Sequence, residues 1–328
     1  IRIYYKMSMH YTTRNRRNVR EMKEIIRDYH QLKELPSLGN FLTLIACHTD
    51  RELKLNTIKN NLPYFNFSGN KVVIINSSDC QYNKTLKDYI QITYPDINYV
   101  DYPNSSQLDM GKWMSYLKDH LRGQMYNYIV FTNDSFLIQG SINHFYNGAT
   151  QSMKDLYAFT SSSQIHYHYQ SYMFAVQMSS IRKLINYYNR VKHKLTDYMS
   201  VVGNIELQLY KLFRPSCGAV LNLGTFPGNT GRNVFFNNDS LYSHLREIGV
   251  LPMIKLKRIE ADKLATPRKT LSSHFTINQG FSLSTSTNSV VSNADMSIMK
   301  SKERTPIKRG VLPANLSGLL EDKAIHRY

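Results

Sequence analysis

The sequence predicts an α/β protein: a mixed, mainly parallel, Rossmann-like sheet with helices on both faces. Two observations carry this. From Phe41 onward, apolar runs of strand length alternate with single segments of helical periodicity, and strands separated by single helices need crossover connections, hence parallel pairing. The run 128–131, inside YNYIVFTNDSFLI (126–138), is apolar without alternation and bounded by polar residues, which suits a strand buried on both faces.

Each element has a local reason. Residues 14–34 (RNRRNVREMKEIIRDYHQLKE) read as a charged helix with Val19, Met22, Ile25 and Ile26 as a narrow apolar stripe, closed by Pro36. FLTLIAC (41–47) is the first strand, and the helix after it runs over 51–61 and stops near Pro63. KVVIIN (71–76) is the second strand, followed by a helix around 84–92; INYVDY (97–102) is the third. The next helix covers 107–121, where Met110, Trp113, Met114, Leu117 and Leu121 share one face. YNYIVFT and its Asn-Asp-Ser turn follow. Beyond them, 156–160 is a short strand, 166–177 (HYHYQSYMFAVQ) a longer one, and helices are expected near 180–191, over 203–213 and over 237–247. From about 265 the chain is Ser/Thr-rich without periodicity, the composition of a segment that is unstructured or draped over a core. The division that results is a basic helical extension (1–37), a catalytic-sized domain (38–258) and a basic flexible tail (259–328).

Composition narrows the class. Of 328 residues 42% are hydrophobic and 24 are tyrosine, which fits a globular chain. Cys47, Cys80 and Cys217 form no CxxC pair, which argues against a disulfide framework or a zinc site and for a reducing compartment. No apolar run reaches the length of a membrane span, so no transmembrane segment is expected. The formal charge is +17, yet residues 1–37 carry 9 basic and 4 acidic groups and residues 255–328 carry 13 and 6. The ends therefore hold most of the excess, as a docking tail for an anionic surface, nucleic acid or acidic partner would, or as any soluble flank would. Seven Asn-x-Ser/Thr sequons occur, one of them at Asn133 in the turn considered below. This favours a cytoplasmic chain, with peripheral membrane attachment and a viral source as variants of that expectation.

Four constellations bear on chemistry. Ligands in open α/β sheets lie outside the carboxyl ends of the strands, which is where Asn133-Asp134-Ser135 falls; Asp134 suits a divalent cation such as Mg²⁺ or Mn²⁺, and the same triplet suits an ordinary turn. Asp109, in the first turn of the 107–121 helix, either complements the helix dipole or binds a ribose or base. On the 166–177 strand, alternation places His166, His168, Gln170 and Tyr172 on one side; the histidines read as a polar face more readily than as a metal pair, while Gln170 and Ser171 suit sugar or phosphate contacts. Glu206, near the start of the 203–213 helix, is either a surface charge or a general base for an acceptor hydroxyl.

In order along the chain, FLTLIACHTD, SSQLDMGKW, FTNDSFLIQG, QSYMFA, GNIELQL and FNNDSLYSHLREIGVLPMIK resemble the rhamnan synthesis protein F group of glycosyltransferases, nucleotide-sugar enzymes of GT-A type. The resemblance spans about residues 40–258. It implies an inverting transfer of L-rhamnose or another deoxysugar, in polysaccharide biosynthesis, from a UDP- or dTDP-linked donor to a glycan hydroxyl. By the same resemblance Asp134 is the metal- and diphosphate-contacting residue, Asp109 and Gly111 match the family's helix entry, Gln170 and Ser171 its Gln-Ser-Tyr strand and Glu206 its Tyr-Glu helix. With these, Lys112, Asn133 and Ser135 are expected to complete the lining of the donor, and Glu206 to be the catalytic base. Two departures stand out: Gln107-Leu108 replaces the family's Gly-Arg before Asp109, and Tyr157-Ala158-Phe159-Thr160 replaces its Trp-Gly-x-Thr strand. A metal-independent route, with Lys112 holding the diphosphate, is the variant within that reading. The alternative from another class is a catalytically idle module of the same fold that docks through its basic, tyrosine-rich ends.

Overall fold

The computed structural model describes residues 39–123, 125–223 and 239–265. The expected helix at 14–34 and the tail beyond 265 lie outside them. The centre is a parallel four-strand unit. Strand β1 (Phe41–Ala46) is hydrogen-bonded on one side to β2 (Asn70–Ser77) and on the other to β4 (Tyr128–Asn133), and β2 carries β3 (Asn98–Tyr102) at the edge, all parallel. Beyond β4 the sense changes. Strand β8 (Met173–Gln177) is antiparallel to β4, and β6 (Leu156–Ser162) is antiparallel to β8. Strands β7 (His168–Tyr169, antiparallel) and β9 (Cys217–Leu221, parallel) both pair with β6. The expected fold class, a mixed and mainly parallel Rossmann-like sheet, is thus the one adopted.

Helices cover both faces because the central strands are apolar on both. On one face, Phe41, Ile45, Val72, Ile74 and Val130 pack against α1 (Glu52–Phe65), α2 (Asn83–Thr93) and α4 (Asn143–Ser152), through Leu55, Ile58, Leu62, Leu86, Ile90 and Phe145. On the other, Leu42, Leu44, Val73, Ile75, Ile129 and Phe131 meet α3 (Leu108–His120), α5 (Ile181–Val191) and α7 (Leu209–Phe213). The α3 stripe behaves as its spacing predicts: Met110, Trp113, Met114 and Leu117 are buried, with Trp113 edge-on to Phe131 and Phe174. No helix among the described residues is long and apolar enough to cross a membrane.

A second, two-stranded sheet joins β5 (Phe136–Ile138) to β10 (Met253–Lys255), antiparallel, with Lys255 opposite Phe136. The free edge of β5 is satisfied by one side chain. Asn61 of α1, fully buried, donates from Nδ2 to the Phe136 carbonyl at 2.7 Å and accepts the Ile138 N–H on Oδ1 at 2.8 Å. Truncating it strands two buried backbone groups. Asn61→Ala is expected to cost about 2–4 kcal/mol, read as a lowered urea midpoint at unchanged m-value.

Several local expectations are corrected. Helix α1 does not stop before Pro63 but includes it and runs to Phe65, since a proline at an exposed position of the last turn forfeits only one helical hydrogen bond. The 166–177 segment is not one strand: β7 ends at Tyr169, residues 170–172 turn, and β8 starts at Met173. The Gln170 N–H still bonds the Thr160 carbonyl, one step on from the Ser161–Tyr169 pair, and the chain turns where the Ser171 N–H goes to Glu206 in place of a ladder partner. Nor is 203–213 a continuous helix. It divides into α6 (Tyr198–Asn204), a 3₁₀ turn at Glu206–Gln208, and α7, with Ile205 at the break. Helix α8 (Asp239–Glu247) falls where a helix was expected, and a further helix, α9 (Leu256–Ala265), runs across residue 258.

Candidate active site

The register of β1 and β4 brings the first functional groups together. Ala46 lies opposite Asn133, so Cys47-His48 and Asp134 leave the carboxyl edge of the sheet side by side. The Asp134 N–H donates to the Ala46 carbonyl at 3.2 Å. Its carboxylate, 6% exposed, accepts the His48 backbone N–H at 2.7 Å and faces Lys54 Nζ at 3.5 Å. Both contacts fall on Oδ2, which leaves Oδ1 for a ligand. Asn133 organises the turn from the other side. Its Oδ1 accepts the Ser135 N–H at 3.2 Å and the Ser135 hydroxyl at 2.6 Å, and its Nδ2 donates to Asp109 Oδ2 at 2.8 Å. Asp109 is delivered by the entry to α3, where Leu108 holds a left-handed φ of +52°. That conformation is costly for a branched residue and is typical of functional turns.

Asp109 and Asp134 thus share one bowl. Burial, and then the charge of Asp134, raises the Asp109 carboxyl above its ordinary range, against the opposing pull of Lys112 and the Asn133 hydrogen bond. A raised carboxyl pKa means that stability is lost as pH rises through the folded value, because the folded state holds a proton the unfolded state has released. Asp109→Asn removes that cost and keeps an acceptor for Asn133. It is expected to raise the melting temperature at neutral pH, where a structural carboxylate would lower it on replacement.

The opposite rim is built from distant sequence. The β5–β10 pairing carries Lys255 over the Asn133-Asp134-Ser135 turn, and its Nζ donates to Ser135 Oγ at 2.9 Å while lying 4.0 Å from the centre of the Tyr172 ring. Burial pulls the Lys255 pKa down to about 7, although Glu206, Asp109 and Asp134 all draw it back up. One ammonium therefore feels all three carboxylates. Glu206, in the break between α6 and α7, accepts the Ser171 N–H (3.1 Å) and hydroxyl (2.5 Å) on Oε2, and its Oε1 is 3.6 Å from His168 Nε2. His168 is oriented through Nδ1, 2.9 Å from the His166 carbonyl.

Other residues singled out in the sequence have different surroundings. Lys112 is buried beneath the bowl, with Nζ donating to the Cys47 carbonyl at 2.6 Å. A Cβ at Gly111 would lie 3.0 Å from both Gln107 Cβ and Ser105 Oγ, so a larger residue there needs those two side chains to give by a few tenths of an ångström. Gln170 is buried, and its Oε1 accepts the Thr160 hydroxyl at 2.6 Å. His166 bonds through Nε2 to the Leu207 carbonyl at 3.0 Å, while His168 turns its Nε2 towards Glu206, so the two rings are tied to different partners. Lys54 and Lys255 were not singled out in the sequence. Lys54 is one of several lysines on a helix, and Lys255 reaches the bowl only through the β5–β10 pairing; its PMIK motif was the one available signal. For a divalent cation, the bowl offers two carboxylates, a donor set that Mg²⁺ accepts when substrate phosphates and water complete its shell.

No family model and no curated protein matches the chain. Solved structures do show likeness. A mannosyltransferase from Pyrobaculum calidifontis, in complex with GDP-Man and Mn²⁺, aligns with a TM-score of 0.34 at 9% identity, over 52% of this chain and 56% of that one. The glycosyltransferase GlyE of Streptococcus pneumoniae aligns with a TM-score of 0.40 at 12% identity, over 65% and 53%. The galactosyltransferase LgtC with donor and acceptor sugar analogues gives 0.38 at 10%, over 64% and 80%. The chain thus spans little more than half the length of the first two. At TM-scores below 0.5 these likenesses carry no argument about activity, which has to come from the site.

Proposed function

We propose that the bowl is the donor site of a GT-A glycosyltransferase, which moves a sugar from a nucleotide-diphosphate donor to a hydroxyl of a glycan acceptor. The observation that carries the proposal is a convergence of charged groups at the carboxyl edge of the sheet. Asp134 is held by the His48 N–H and faces Lys54, Asp109 is held by Asn133, and Lys255 sits on Ser135, with Glu206 anchored on Ser171 close enough to act on the Lys255 charge. Glycosyl transfer passes through an oxocarbenium-like state and needs charge stabilisation on the leaving side and a base on the acceptor side. Lys255 and the Asp109–Asp134 pair suit the leaving diphosphate. A Mg²⁺ or Mn²⁺ ion held by Asp134 and Asp109 supplies further neutralisation of the departing charge. Glu206 suits the base, held in orientation by Ser171 and His168, and a base on that side fits an inverting course. The motif resemblance adds the finer reading, a deoxysugar such as L-rhamnose from a UDP- or dTDP-linked donor.

Lys255 gives this reading a pH signature. Its pKa of about 7 means that the ammonium is lost as pH rises through neutrality, and a bound diphosphate holds it charged. Donor affinity is expected to fall between about pH 7 and 9 in the wild type, with the slope flattened in Lys255→Met. Without donor the sign reverses, because the unfolded lysine keeps its proton to about pH 10 and stability therefore rises with pH above 7. The function itself is tested by following nucleoside diphosphate release from a panel of UDP-, GDP- and dTDP-sugars with an oligosaccharide acceptor, with Mn²⁺ or with chelator. Release from one nucleotide class supports a transferase. No release from any donor by the folded protein contradicts it.

A further inference from the structure

Beyond the bowl, the fold assembles a second cluster that the sequence spacing conceals. At the end of β1 and the turn after β2, His48, Asp79 and Cys80 each present a ligand atom, all within 4.8 Å of one another; among the described residues this is the one such grouping of three. His48 Nδ1 is 3.1 Å from Cys80 Sγ and 2.9 Å from Ser77 Oγ. Cys80 is buried, His48 half-buried and Asp79 exposed, so the cluster has a closed floor and one side open to solvent. Parallel register places it, since β1 and β2 pair directly up to Ala46 and Ile75 and their chains leave the sheet together. No CxxC spacing is needed, because the ligands come from two strand ends 32 residues apart.

We propose that His48, Asp79 and Cys80 form a binding site for a soft divalent cation of the Zn²⁺ class, with water in the fourth position. The chemistry of the donor set selects the metal. A thiolate, an imidazole nitrogen and a carboxylate are ligands of zinc, and one thiolate discriminates against Mg²⁺ and Ca²⁺. The distances are compatible. Tetrahedral Zn–N and Zn–S bonds set N and S about 3.5 Å apart, so the 3.1 Å pair has to open by only a few tenths of an ångström, and the exposed Asp79 side chain is free to close on the ion. Binding exchanges the Cys80 thiol proton for the metal and releases it to solvent. Because the backbone N–H of His48 holds Asp134, occupancy also fixes one wall of the bowl, whatever reaction the bowl performs.

The test uses Co²⁺ as a spectroscopic stand-in, titrated into the full chain. One equivalent is expected to give a thiolate-to-metal charge-transfer band in the near ultraviolet together with the visible bands of tetrahedral Co²⁺, both bleached by stoichiometric Zn²⁺. Cys80→Ser removes the charge-transfer band and Cys217→Ser leaves it. Asp79→Ala, an exposed change that spares the core, weakens affinity by about tenfold or more. The proposal is overturned if no thiolate band forms on the folded chain, if the band survives Cys80→Ser, or if Asp79→Ala leaves affinity unchanged. Loss of sugar transfer does not enter these readouts, so failure of this site and failure of the transferase reading are separate results.

Discussion

Asp134→Ala is expected to reduce sugar transfer by about 10²–10³-fold, the usual loss when a preorganised charge stabiliser is removed. The residue is fixed before any ligand arrives. Its N–H is tied to β1, its Oδ2 is held by His48 and Lys54, and a group so placed needs no reorganisation as charge develops on the leaving diphosphate. Asp134→Asn separates charge from shape, because the amide oxygen still accepts the His48 N–H. Steady-state kinetics on both variants, beside their thermal melts, check this. A loss of similar size in both, with the Asp134→Asn variant melting near wild type, is the expected pattern. If Asp134→Asn retains most of the activity, the carboxylate does not serve the leaving group.

Glu206→Gln is the second large effect, expected to lower kcat by about 10²–10⁴-fold while changing KM for the donor little, since a general base acts in the transition state and not in donor binding. The glutamine keeps an oxygen for the Ser171 N–H and hydroxyl, so the local fold is retained. Ser171→Ala only loosens the carboxylate and is expected to fall between the two. A Glu206→Gln variant that turns over normally would place the base elsewhere.

The elements legible in the sequence are those whose physics is local. The strands β1, β2 and β4 are continuous apolar runs, and the α3 stripe repeats at helical spacing, so both their type and their buried faces followed from pattern alone. Strands β5 and β10 are three residues each, too short for any period, and exist because they pair with each other while Asn61 satisfies the other edge of β5. The turn at residues 170–172 interrupts a strand-like sequence because Glu206, from a separate element, takes the Ser171 N–H. The candidate site divides in the same way. Asp134 and Asp109 stood at recognisable strand and helix ends. Lys255 and the His48–Cys80 pair depend on register between segments far apart in the chain, which no local window contains. Lys112 was legible as a cation beside Asp109, but the depth at which its Nζ meets the Cys47 carbonyl was not.

The most direct measurement is the thermal shift of the full chain with UDP-, GDP- and dTDP-sugars, with and without Mn²⁺, on wild type, Asp134→Ala and a chain lacking residues 1–37. A donor present at about 100 times its Kd stabilises the fold by about 2.7 kcal/mol, well within reach of a melt. One nucleotide class is expected to stabilise the wild type, Asp134→Ala to abolish the shift, and removal of residues 1–37 to preserve it. Stabilisation by no donor, or a shift that survives Asp134→Ala, would contradict a donor site at the Asn133-Asp134-Ser135 turn.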